Sequence, residues 1–205
     1  MTRVGDAVIE WGVAGRPLAG ETVSGDLHVV APFAGGVLAA VIDGLGHGPE
    51  AAEAARRAAA VLAAEPDRPI GRLVELCHAA LRSSRGAVMT LVAIDAESDR
   101  MTWTAIGNVE ASLCRAADGA TPARESLAPR NGVVGYQTPT TRDVTLPIAR
   151  GDVLILATDG VGHDFILDPP LQAPAQSYAD HLLDRYGKAS DDALVLVVRY
   201  LGRAS

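Results

Sequence analysis

The stretch Val37-Leu38-Ala39-Ala40-Val41-Ile42-Asp43-Gly44-Leu45-Gly46-His47-Gly48-Pro49 decides how the chain is read. Six consecutive apolar residues suit a strand buried on both faces. Three glycines in five residues then mark a loop whose backbone bends tightly or lies against something else. Pro49 opens a helix, favoured there because its missing N–H has no partner in the first turn, and an Ala-rich segment runs on to Glu65. A strand, a glycine loop and a helix thus meet at one acid, Asp43.

Outward from this joint, Ala7 to Val13 and Leu27 to Phe33 read as strands, the latter turning through Ala34-Gly35-Gly36 into the central run. Ile70, Leu73, Val74, Cys77 and Leu81 follow the three-and-four rhythm of a second helix, expected beside the first over about 70–84. Val88 to Ile94, Met101 to Ile106 and Val109 to Arg115 suggest an antiparallel meander, with turns at 97–99 and at Asp118-Gly119. Residues 122–139 are rich in Pro, Gly and Asn and read as a surface loop, a candidate mobile lid. Strands over 140–146 and 152–157, a helix over 175–186 and a last strand over 193–200 complete the order. Strand runs broken by helix pairs favour α+β layers over a doubly wound sheet.

Composition bounds the function. The 205 residues carry 18 Lys+Arg, 25 Asp+Glu and a formal net charge of −7, with 48% hydrophobic residues, enough for one sizeable core in a single domain spanning 1–205. No basic block supports nucleic-acid binding. No apolar run approaches the roughly 18 residues of a membrane span, and the N-terminus lacks a signal-peptide pattern, so a cytoplasmic location is expected. Cys77 and Cys114 are expected to be reduced core residues. The oligomeric state is left open, a monomer being compatible with everything above.

Four acids stand at strand boundaries: Asp43 and Asp159 after apolar runs, Asp26 and Asp191 before them. Gathered at one rim they would repel one another unless a cation intervened. Oxygen-only donors suit Mg²⁺ or Mn²⁺, which can activate water for attack on phosphorus. Asp-Gly is also a common turn dipeptide, so spacing alone leaves turn and ligand readings both open.

The block Asp43-Gly44-Leu45-Gly46-His47-Gly48 with Ala51-Ala52 resembles the DG-x-GHG-x-x-AA signature of the SpoIIE-like branch of the PPM (type 2C) metal-dependent Ser/Thr protein phosphatases. Ser24-Gly25-Asp26, Gly107-Asn108-Val109, Ala157-Thr158-Asp159-Gly160 and Ser190-Asp191-Asp192 fall in the family's order, so the resemblance covers essentially the whole chain. It implies a four-layered α-β-β-α sandwich. It also implies two Mn²⁺ or Mg²⁺ ions held by Asp43, the Gly44 carbonyl, Asp159 and Asp191, with Asp26 on metal-bound water. A bridging hydroxide would then attack phosphoserine or phosphothreonine directly, with no thiol nucleophile. A lone domain of this branch suits bacterial signalling substrates, namely stressosome or STAS-domain phosphoproteins of a sigma-factor stress pathway.

The chain departs from the family at two places. Asn108 stands where many members carry the Asp of a third metal site, so two metals are expected. The phosphate-gripping arginine of the eukaryotic enzymes has no clear counterpart, Arg16 and Arg130 being the candidates. His47 is a candidate proton donor to the leaving alkoxide, and His163 is near the second Asp-Gly by adjacency. Asp192 is expected to face away or cap locally, and Arg56-Arg57 to lie on a wet helix face. Two alternatives share the fold: an inactive binding protein and a metallohydrolase of small phosphoesters.

Overall fold

A computed structural model describes residues 8–116, 123–136, 141–168 and 172–203. Among the described residues ten strands form two five-stranded antiparallel sheets. One sheet contains β2 (Asp26–Phe33), β3 (Gly36–Gly44), β4 (Ala87–Asp95), β5 (Arg100–Ile106) and β8 (Val144–Pro147), in that order. The other runs β1 (Ile9–Arg16), β10 (Ala193–Tyr200), β9 (Val153–Ala157), β6 (Glu110–Cys114) and β7 (Arg124–Ser126). Helices α1 (Gly48–Ala64) and α2 (Ile70–Leu81) cover the β3 sheet, and α3 (Ala175–Tyr186) covers the β10 sheet.

The side-chain alternation of β3 shows why its apolar run is unbroken. Leu38, Ala40 and Ile42 face α1 and α2, among Ala54, Ala58, Leu62, Leu73, Cys77 and Leu81. Val37, Ala39 and Val41 point the other way, into the layer between the sheets, with Trp103, Leu154, Leu156, Leu196 and Val198. Strands buried on both faces lose the polar positions that would reveal a period of two. The third layer packs Val153, Ile155, Val195 and Val197 under Tyr178, Ala179 and Leu182 of α3. The result is the expected α-β-β-α sandwich, with α1 and α2 side by side. No helix among the described residues is long and apolar enough to cross a membrane.

Cys77 and Cys114 are free and buried in different layers, and burial pushes the Cys77 thiol up to about 12.

Two expectations are corrected. The meander does not continue into its third strand: β4 and β5 pair, but β6 crosses to the other sheet, between β9 and β7. The crossing occurs at Gly107, whose φ is +87° and where a Cβ would lie 2.2 Å from Val88 Cγ1, so only glycine passes there without displacing β4.

The expected mobile lid is instead stitched down over 123–136. Within it β7 pairs with β6, Arg130 exchanges backbone bonds with Ala105 and Gly107, and Val134 does so with Ala87. Pro122 and residues 137–139 of that segment, like Ala7, the Asp118-Gly119 turn and Thr140, lie outside the described residues.

Candidate active site

The antiparallel register of β2 and β3 places Asp26 directly opposite Asp43 at the end of one sheet. The end of β9 and the start of β10 bring Thr158, Asp159, Asp191 and Asp192 to the same rim from the other sheet. Thr158 joins the two halves. Its hydroxyl donates to Asp26 Oδ2 at 2.8 Å and accepts from the Leu194 N–H at 2.9 Å.

The electrostatics report the convergence. Burial pushes the Asp43 carboxyl up to about 8, and Asp26, Asp159, Asp191 and Asp192 all add to that rise. Asp26 is pushed up to about 7, mainly by burial and less by Asp192, Asp159 and Asp191, with the Thr158 bond acting against the rise. Asp159 is raised too, by burial and by Asp191, while Lys188 opposes the shift. Like charges drawn from two sheets into one half-buried rim call for a counter-cation, and their oxygen donors match Mg²⁺ or Mn²⁺. Among the described residues no three acidic, His or Cys side chains already stand as a closed cage. That is compatible with an ion such as Mg²⁺, which keeps several waters of its own.

The acids do not have equal freedom to bind a cation. Asp192 was expected to face away or cap locally; it is buried, and it caps at long range. Its Oδ1 accepts from the Leu18 N–H at 2.7 Å and its Oδ2 from the Gly25 N–H at 2.8 Å, which fixes the β1–β2 connection. Asp159 accepts one bond at Oδ2 from the Asn108 amide, at 2.6 Å. Asp191 lies next to these, its Oδ1 accepting the Asp192 N–H at 2.9 Å. Asp43, Asp159 and Asp191 retain oxygens that could hold a metal.

The Gly44 position is set by close backbone approach. Its N–H donates to the Gly25 carbonyl at 3.1 Å, and a Cβ at residue 44 would lie 2.1 Å from the Ala51 carbonyl oxygen of α1. The DG-x-GHG-x-x-AA spacing thus has a steric reason: glycine and alanine let α1 rest on the loop.

His47, at the N-terminus of α1, holds Glu21 through Nδ1 at 2.8 Å, and His163 holds Glu110 through Nδ1 at 2.7 Å. His28, His78 and His181 have partners other than the rim acids: His28 on β2 stands beside Trp11, His78 accepts from the Gly135 N–H, and His181 meets the buried Asp168. Arg16 does not point at the acids; its Nη2 donates to the Gly187 carbonyl at 2.6 Å. Arg130 is fixed through its backbone to β5. Arg56 and Arg57 pair with Glu53 on the exposed face of α1, as expected.

Thr158 stands inside the Ala157-Thr158-Asp159-Gly160 block without a role of its own in the sequence; Glu21 and Glu110 carry no signal there, and Lys188 carries one as the single lysine of the chain.

A family model described as Stage II sporulation protein E (SpoIIE) matches residues 34–201. This chain belongs to the SpoIIE family. Phosphoserine phosphatase RsbX of Bacillus subtilis (strain 168) is 25% identical over 144 residues, 69% of each chain. A chain from a structure of the bacterial stressosome, described as a modular system adapted to control secondary messenger signaling, superposes with a TM-score of 0.85 at 28% identity. It covers 93% of this chain and 99% of that one. A crystal structure of RsbX in complex with magnesium superposes at 0.79 with 20% identity, covering 94% and 95%. The fold is that of the PP2C-type phosphatases, and the family membership makes the chain a Ser/Thr phosphatase of that type.

Proposed function

We propose that the chain hydrolyses phosphoserine or phosphothreonine on a bacterial signalling protein of the stressosome or STAS-domain kind, using divalent cations held at the acid rim. The observation that carries this reading is the meeting of Asp26 and Asp43 from one sheet with Asp159 and Asp191 from the other, where burial first and then the charges of Asp159 and Asp191 raise the Asp26 and Asp43 carboxyls. Similarity to RsbX and to the stressosome chain supports the substrate class.

Asp43, the Gly44 carbonyl, Asp159 and Asp191 would hold two Mg²⁺ or Mn²⁺ ions. Bound there, such ions supply positive charge for the phosphoryl oxygens and make water more acidic. Asp26, held by Thr158 and opposite Asp43, lies where it can orient solvent at the rim. Asn108 and Lys188 fix Asp159 through its carboxylate and its carbonyl. His47 has Nδ1 occupied by Glu21, leaving Nε2 to hand a proton to the departing serine or threonine oxygen.

Purified protein should release phosphate from a phosphoserine peptide with Mn²⁺, lose that activity in EDTA, and lose it by about 10³-fold or more in Asp43→Asn, as expected when the charge stabilising a phosphoryl-transfer transition state is removed. Full metal-dependent turnover by Asp43→Asn would overturn this assignment. Faster turnover of free phosphometabolites than of phosphoproteins would move the substrate class to small phosphoesters.

A further inference from the structure

The structure assigns to Lys188 the task of holding the substrate's phosphoryl group, a role that rests on the phosphatase reading above and deepens it. Lys188 is the only lysine in the sequence; every other basic side chain of Lys or Arg type is an arginine. Its Nζ donates to the carbonyl of Asp159 at 2.6 Å, so the ammonium sits at the residue where β9 meets the acid rim. An ammonium has three donors and this bond uses one, leaving the exposed head able to reach an anion. It is also the cation whose charge acts on Asp159 against the repulsion of Asp191.

The segment that presents Lys188 is fixed from several sides. Its own N–H donates to the Gly160 carbonyl at 2.7 Å, and the Gly162 N–H donates to the Tyr186 carbonyl at 2.8 Å. Gly187 donates back to Leu183 at 2.8 Å, ending α3. Arg16 clamps the Gly187 carbonyl from β1. The arginine that position in the sequence had made a phosphate candidate therefore holds the loop carrying the lysine. Arg85 is another cation beside a site loop, its Nη1 2.7 Å from where a Gly46 Cβ would stand, but Glu50 already pairs with it at 2.5 Å.

A phosphate monoester brings about two negative charges to a rim built of carboxylates, and a lysine is a compact point charge suited to an anion whose orientation other groups set.

Lys188→Ala should raise KM for a phosphoserine peptide and the inhibition constant of inorganic phosphate each by about tenfold, the worth of one hydrogen bond to a charged group. The turnover number should change far less. Lys188→Arg, which keeps the charge, should recover most of the loss, and thermal melting should match the wild type in both variants. A second readout does not need turnover. An amine-acylating reagent applied to the Mg²⁺-loaded wild type, read by peptide mass spectrometry, should modify Lys188 several-fold more slowly when inorganic phosphate is present, with the N-terminal amine as the internal reference.

Unchanged KM and phosphate inhibition in Lys188→Ala, or no protection by phosphate, would overturn the assignment. So would a loss explained by lower melting temperature or weaker Mn²⁺ binding, which would leave Lys188 only a brace for Asp159. A wild type without turnover would instead count against the phosphatase reading, while the protection experiment would still decide the role of Lys188.

Discussion

The two halves of the acid rim are built on different principles. On the β3 sheet, Asp26 and Asp43 face each other across adjacent strands, buried or half-buried, and burial together with the other acids pushes both carboxyls far above the usual range. On the β10 sheet, Asp159, Asp191 and Asp192 are threaded into hydrogen bonds: Asn108 and Lys188 on Asp159, and backbone N–H groups on Asp191 and Asp192. In one half burial, and then neighbouring charge, disfavour the ionised carboxylates until a cation relieves them; the other half is already oriented by hydrogen bonds. A site assembled this way gains most from a metal where it is least stable without one.

The largest effect that separates the halves concerns folding. Asp192→Ala removes a buried carboxylate that satisfies the N–H groups of Leu18 and Gly25, and should cost about 2–4 kcal/mol in chemical denaturation even without metal. A cost no larger than that of an exposed substitution would mean that this half is not preassembled.

The next effect concerns pH. A carboxyl whose folded pKa is raised binds protons on folding, so its favourable contribution is complete below the unfolded value and is lost as the pH rises through the folded one. With Asp26 and Asp43 raised from 3.8 to about 7 and about 8, the melting temperature of EDTA-treated protein should fall between about pH 5 and 8. Asp43→Asn should flatten that fall. Saturating Mn²⁺ should reverse it, because metal binding competes with those same protons. A metal-free melting temperature that rises steadily over this range would refute the raised carboxyls of Asp26 and Asp43.

The smallest effect belongs to Asn108. Asn108→Ala frees Asp159 Oδ2 from its 2.6 Å bond and should weaken Mn²⁺ binding about tenfold by calorimetry, in line with the loss of a group that orients a ligand. Tighter binding in this variant would show that the amide competes with the metal for that oxygen.

Much of this molecule was readable in its residues. Most strands, the pairing of α1 with α2 and the four acids at strand ends followed from apolar periodicity and glycine placement, because those features reflect local burial. The strand exchange at Gly107 did not, since a run such as Glu110–Cys114 carries the same texture in either sheet. Nor did the strand Arg124–Ser126, three residues without an apolar core of their own. Asp192 looked like a neighbour of the more telling Asp191. Its partners lie 174 and 167 residues away, and a contact of that range leaves no periodic trace.

The seat of α1 on the loop at Gly44 has a mechanical consequence. Gly44 meets the Ala51 carbonyl with no room for a methyl group, and a Cβ on Gly25 would stand 2.9 Å from Ala51 Cβ and 3.3 Å from the Gly44 carbonyl oxygen. Helix, loop and neighbouring strand are joined here like parts of a lever without play. A methyl group at residue 44 or 25 would have to push α1 off this loop, so the seat fixes where the Gly44 carbonyl stands relative to the helix.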